Sequence, residues 1–224
     1  MANVIDVPSY KQNLKELVEQ LGEMIPKDKM TVFNTDALRL AKTYAAPLKV
    51  SRGDQAPEFS LPNATGQTVS LKSLLAKGAV VLSFYRGTWC PYCNLQLKNY
   101  QAVLPQIIES GANLVAISPM TPDNSIGMME TNELEFEVLS DVGNQIAYQY
   151  TTVFKNNDAP VQAMSELGYD FFSFYDDTSG DLPVPATFVI AQDGRIIFAS
   201  SEGGDYRERV EPQAILDALD TLNS

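Results

Sequence analysis

A chain of 224 residues, 45% hydrophobic and 20% charged, has ordinary globular composition and can bury a core without disulfide staples. Its net charge of −12 repels phosphate backbones and anionic lipid, which argues against nucleic acid and membrane surfaces as partners. There is no histidine and there are only two cysteines, which excludes Ser-His-Asp triads, Cys-His pairs, His-based metal sites and a four-thiolate zinc site within one chain.

The opening residues, Met1 to Pro8, lack the basic and apolar stretches of a signal peptide. The longest strongly apolar run, Gly78 to Tyr85, falls far short of the ~20 residues that cross a bilayer. A cytoplasmic location is the expectation, and thiols there are mostly kept reduced. Residues 1–50 read as an N-terminal helical segment. Leu14, Leu17, Val18, Leu21 and Ile25 recur at helical spacing, and Thr35-Asp36 is expected to open a second helix carrying Leu38, Leu40 and Ala41. Such an apolar stripe packs on a core; a homodimer contact is the alternative.

Residues 51–224 read as one α/β domain. Ala56 to Pro62 is extended, Ala64 to Gln67 is a turn, and Leu71 to Leu75 is a helical turn or two. Ala79 to Tyr85 (AVVLSFY) reads as a buried central strand. A helix from about Cys93 to Ser110 follows, kinked at Pro105 and stopped by Gly111. Then come a strand at Leu114 to Ser118, a helix near Asp123 to Thr131, a strand at Glu137 to Leu139 and a helix near Asn144 to Tyr150. Ala186 to Ile190 and Arg195 to Ala199 flank the hairpin signal Asp193-Gly194, and Glu211 to Leu222 closes the chain as an amphipathic helix. This order predicts a central mixed β-sheet flanked by helices.

Between the central strand and its helix stands Arg86-Gly87-Thr88-Trp89-Cys90-Pro91-Tyr92-Cys93. A helix N-terminus carries partial positive charge, so a thiol placed there ionises more readily. The spacing of Cys90 and Cys93 lets their sulfurs meet across one helical turn and form a disulfide. Pro91 suits the first turn, where its missing N–H costs nothing, and Arg86 adds a nearby cation. The pattern points to thiol redox chemistry. The alternatives are half of a zinc site shared between two chains, or two inert buried thiols. No segment suggests a nucleotide, flavin or metal, so no cofactor is expected.

The segments GDQAPEFSLPNATGQTVSL, VVLSFYRGTWCPYC, LVAISP, LSDVGN and PVPATFVIAQDGRIIF resemble, in order, those of the peroxiredoxin-like AhpC/TSA family of the thioredoxin superfamily. The resemblance runs from Gly53 to the C-terminus. It implies a thioredoxin-like fold with peroxiredoxin-type decorations, and reduction of peroxides by a thiolate. Typical members carry Pro-x-x-x-Thr-x-x-Cys after the central strand and an arginine before a later strand. In register, the reactive cysteine falls on Cys93, the Thr position holds Cys90, the Pro position holds Arg86, and the Arg position falls on Pro185. Cys-Pro-Tyr-Cys is itself the glutaredoxin-type site sequence. Trp89 resembles the tryptophan beside thioredoxin's active site, and Val184-Pro185-Ala186-Thr187-Phe188 resembles the segment that presents a cis-proline there. A cis Val184-Pro185 bond would let its backbone pair with a substrate's cysteine segment; a trans proline at a strand start is the other reading.

Two mechanisms stand open. In one, the Cys93 thiolate reduces hydrogen peroxide or an organic hydroperoxide, Cys90 resolves the sulfenic acid, and a thioredoxin- or glutaredoxin/glutathione-type reductant restores both. In the other, Cys90 is an exposed nucleophile that attacks disulfides and Cys93 resolves. A redox sensor on the same fold is a third class. The aromatic stretch Gly168 to Tyr175 reads as satellite core, or as a lid, a substrate surface or a dimer contact.

Overall fold

The structure, a computed structural model, describes residues 7–222. The outer ends of the expected 1–50 and 51–224 segments, and most of the stretch read for a signal peptide, lie outside the described residues.

Ser9 opens α1 (Tyr10–Met24) by accepting from the Gln12 N–H, and Ile25 leaves the helix in extended backbone because a proline follows. Helix α2 (Lys27–Thr43) starts directly after Pro26, so Thr35-Asp36 is not its start but lies inside it. Asp36 resembles a cap in sequence, yet its carboxylate accepts from Arg39 at 2.7 and 3.0 Å. It therefore does not compete for the helix backbone. The chain continues through β1 (Ser60–Pro62), β2 (Thr68–Ser70), α3 (Leu71–Leu75), β3 (Ala79–Phe84), α4 (Pro91–Ala102), α5 (Leu104–Glu109) and β4 (Ala112–Ser118). Next come α6 (Pro122–Asn132), β5 (Glu137–Ser140), α7 (Ala147–Tyr150), β6 (Val153–Lys155), α8 (Asp158–Glu166) and a 3₁₀ turn at Phe171–Phe174. It ends with β7 (Asp181–Pro183), β8 (Ala186–Ile190), β9 (Ile196–Ser200) and α9 (Pro212–Asp220). In place of one helix kinked at Pro105 there are two, broken at Val103, with Pro105 in the first turn of α5, where it lacks no bond.

The main sheet has the order β5-β4-β3-β8-β9, parallel across β5-β4-β3 and antiparallel across β3-β8-β9. It is the expected mixed sheet. All six residues of β3 are buried, and they alternate between two cores. Val80, Leu82 and Phe84 face one side with Leu71 and Phe188, while Val81, and Tyr85 just beyond the strand, face Cys93, Leu97 and Tyr100 of α4. Alternation along β3 therefore seats α4 on one face and fixes where its N-terminus emerges.

Helices α1 and α2 lie against that same face, α1 on α4 and α2 on α8. Leu14, Leu17 and Leu21 pack on the core, whereas Val18 and Leu38 are exposed. The N-terminus of α1 is tied to the far end of the chain, because the Tyr10 and Lys11 N–H groups donate to the Glu211 carboxylate at 2.7 and 3.0 Å. A carboxylate suits the positive end of a helix. Among the described residues, no helix is long and apolar enough to cross a membrane.

Candidate active site

Cys90 is the N-cap of α4 and Pro91 its first residue. The Cys90 carbonyl accepts from the Cys93 and Asn94 N–H groups at 3.0 and 3.1 Å, which sets the first turn and brings both side chains to one side. The two sulfurs are free thiols 2.7 Å apart, so joining them requires little movement.

The loop that leads into this turn is held on every side. Thr88 donates its N–H and its hydroxyl to Met120 Sδ at 3.2 and 3.4 Å, and its carbonyl accepts from Asn94 Nδ2 at 2.7 Å. Trp89 Nε1 donates to the Tyr175 hydroxyl at 2.8 Å, and that hydroxyl donates to the Arg86 carbonyl at 2.9 Å. Phe171 meets the Trp89 ring edge-on at 5.5 Å. From the aromatic stretch Gly168 to Tyr175, Phe171 and Tyr175 thus pack against the site loop, while Tyr169 and Phe172 are exposed. A larger residue at Gly87 would displace its neighbours, because a Cβ there would stand 2.6 Å from Trp89 Nε1.

Both cysteines are buried, Cys93 fully and Cys90 to within 1%, so Cys90 is less open than the disulfide-exchange mechanism expects and meets only the cavity described below. Burial favours the neutral thiol of each. For Cys90 it wins, reinforced by the hydrogen bond to Cys93, and its pKa lies well above the usual thiol range. For Cys93 burial is outweighed by the hydrogen bond shared with Cys90 and by the charges of Arg209 and Arg86, and its pKa lies well below.

Arg209 is the residue the sequence reading missed. The register with the family puts Pro185 at the arginine position, and Arg86 reads as the only nearby cation. In the structure the fully buried Arg209 donates from Nη2 to Cys93 Sγ at 3.4 Å and reaches Cys90 Sγ at 4.0 Å. Its segment is fastened from three sides. The hydroxyls of Tyr10, Tyr100 and Tyr206 donate to the carbonyls of Arg207, Val210 and Phe33 at 2.7, 3.0 and 2.8 Å. Nothing local distinguishes Arg209 from the chain's other arginines; its place follows from packing.

Arg86 lies elsewhere in the same site. Its guanidinium carbon stands 4.0 Å from the centre of the Tyr206 ring and 4.7 Å from that of Trp89. Arg86, Thr88, Trp89, Cys90, Pro91 and Tyr92 together line one cavity, whose remaining wall includes residues of α1, α2 and α8. Val184 and Pro185 are buried but do not line it. The described residues contain no cis peptide bond, so Val184-Pro185 is trans. The Val184 N–H donates to Thr152 O at 2.8 Å and its carbonyl accepts from Thr151 Oγ1 at 3.0 Å. That backbone is already paired within the chain and is not offered to a substrate.

Fold and site together define a thiol-based oxidoreductase with a thioredoxin-like fold. The AhpC/TSA family matches residues 52–199. A peroxiredoxin-named protein of Mycobacterium tuberculosis is 27% identical over 151 residues, covering 67% of this chain and 85% of its own. The thiol-disulfide oxidoreductase ResA of Bacillus cereus is 25% identical over 164 residues, covering 73% and 76%. Among solved structures, the peroxidoxin BcpB of Mycobacterium tuberculosis superposes with a TM-score of 0.61 at 23% identity, covering 78% of this chain and 99% of that one. This chain belongs to the AhpC/TSA family and is an oxidoreductase of the peroxiredoxin type.

Proposed function

We propose that the chain is a thiol-dependent peroxidase in which Cys93 is the attacking thiolate and Cys90 the resolving thiol. The observation that carries this reading is the Arg209 guanidinium 3.4 Å from Cys93 Sγ, which favours the ionised sulfur at Cys93 rather than at Cys90. The Cys93 thiolate attacks one oxygen of ROOH. An S–O bond forms as the O–O bond breaks, and the departing RO⁻ takes a proton to leave as alcohol or water. Cys93 is then a sulfenic acid. Cys90 attacks that sulfur, its thiol proton leaves with the hydroxide as water, and the pair becomes a disulfide. A dithiol reductant of thioredoxin or glutaredoxin type, or glutathione, returns two electrons and two protons. Arg209 and Arg86 offset the charge on the departing oxygen.

One observation favours a second reading. Cys90 lines the cavity and Cys93 does not. A disulfide substrate would meet Cys90 first, with Cys93 resolving.

The two readings separate on single variants treated with hydrogen peroxide and a sulfenic-acid trapping reagent. The peroxidase reading expects Cys90→Ser to form a trapped sulfenic acid at Cys93, roughly 100-fold or more faster than a free thiol. It expects Cys93→Ser to form none at that rate. Wild-type protein no faster with peroxide than a simple dithiol, together with disulfide attack from Cys90, refutes it.

A further inference from the structure

Arg86 is a buried cation with no carboxylate partner among the described residues. It is 4% exposed. Among the described residues its guanidinium makes no ion pair and no hydrogen bond to the protein, and Nε is fully enclosed. The rings of Tyr206, Trp89 and, at 6.0 Å, Phe154 meet it instead. Ring faces offset part of the cost of burying a charge, but they leave the N–H donors unmet.

A second polar group stands in the same condition. Asn156, two residues beyond Phe154, is 3% exposed, and neither its Oδ1 nor its Nδ2 has a protein partner. Arg86 and Asn156 both line the cavity that reaches Cys90. That cavity is about 620 Å³, within the range of small-molecule sites. Arg86 is the one charged side chain in its described wall, and no carboxylate lines it. The remainder is mostly apolar, with Leu17, Leu21 and Met24 from α1, Phe33 from α2 and Met164 from α8. Helices α1 and α2 lie outside the stretch that matches the family, 52–199, so this wall is an addition to the shared fold.

We propose that the cavity is a binding site for an amphipathic carboxylate, an alkyl chain ending in one carboxylate. The carboxylate lies on the Arg86 guanidinium and the Asn156 amide, and the chain lies among the side chains of α1, α2 and α8. One unpaired cation calls for one anion, and a guanidinium suits a carboxylate in particular. A glutathione-like tripeptide brings two carboxylates and an ammonium to a wall with one cation and no anion, which leaves buried charges unpaired. The binding site stands independently of the peroxidase reading.

Trp89 lines the cavity and is the chain's only tryptophan, so its fluorescence reports occupancy. The test titrates reduced wild-type protein with decanoate, decanol and decylamine at pH 8, with equilibrium dialysis in parallel. Decanoate is expected to saturate with a Kd at least about tenfold below that of decanol, the gain of one charge-assisted hydrogen bond. Decylamine is expected to be weakest. Arg86→Met is expected to bring decanoate to the affinity of decanol. If that variant fails to fold, the wild-type comparison decides alone. Equal affinity for decanoate and decanol, or no decanoate binding by either method, overturns the proposal. A protein that binds decanoate selectively but ignores peroxide supports the site and removes only the peroxidase reading.

Discussion

Replacing Arg209 by methionine keeps an apolar stem in the same space and deletes the charge beside Cys93. At the observed 3.4 Å, a unit positive charge and a thiolate interact by about 5 kcal/mol at an effective dielectric near 20. Arg86 and the Cys90 hydrogen bond remain, and the emptied position relaxes, so roughly half of that, about 2.5 kcal/mol, is the expected loss. Each 1.36 kcal/mol is a factor of ten, which makes the thiolate about 100-fold less favoured relative to the thiol. The sign is unambiguous, because losing a cation raises the pKa of a neighbouring acid. In wild type, Cys93 is held well below the usual thiol range, so its reaction rate with hydrogen peroxide is expected to be flat from neutral pH upward. In Arg209→Met the flat region retreats to higher pH, and the rate falls by up to about 100-fold on its acid side and climbs as pH rises. Stopped-flow Trp89 fluorescence between pH 5 and 10, with thiolate absorbance near 240 nm, measures both. Arg209→Lys recovers part of the rate and part of the flat profile, which a merely space-filling role for Arg209 would not produce. An Arg209→Met protein that folds and keeps the wild-type rate and pH profile refutes the assignment of Arg209 as the cation that ionises Cys93.

Three further outcomes follow from contacts around the site. Glu211→Gln removes the charge that the α1 N-terminus meets through the Tyr10 and Lys11 N–H groups, and is expected to cost about 1–2 kcal/mol in urea unfolding; unchanged stability would show that α1 is not held there. Gly87→Ala forces a methyl group to within 2.6 Å of Trp89 Nε1 and 3.1 Å of the Tyr175 hydroxyl, so the Trp89 emission shifts and stability falls by about 1–3 kcal/mol. An unmoved spectrum would mean that the loop has room the structure does not give it. Tyr175→Phe leaves Trp89 Nε1 without its acceptor and the Arg86 carbonyl without its donor, for a loss of about 1–3 kcal/mol by thermal unfolding. A stability equal to wild type would refute that pairing.

The sequence by itself determined those features that near neighbours decide. The apolar, β-prone run Ala79 to Tyr85 identifies a buried strand, observed over Ala79–Phe84, and the cysteine pair with Pro91 identifies a redox turn at a helix start. Asp193-Gly194 identifies a hairpin, because Gly194 adopts a φ of +84°, a conformation that other residues rarely adopt. Local reading fails where a partner from farther along the chain, or a side chain on the next turn, takes up a group that looks free. Asp36 reads as a helix start until Arg39 is seen to bind it. Val184 reads as a backbone open to substrate until Thr151 and Thr152 are seen to occupy it. The choice of which thiol ionises is the most distant of these decisions. Cys90 and Cys93 share a turn, and only the fold, by laying the segment after β9 against α4, brings Arg209 across 116 residues to Cys93. The same packing sets α1 and α2 over Arg86. Charge interactions depend on separation in space and on burial, and the tertiary structure alone sets both.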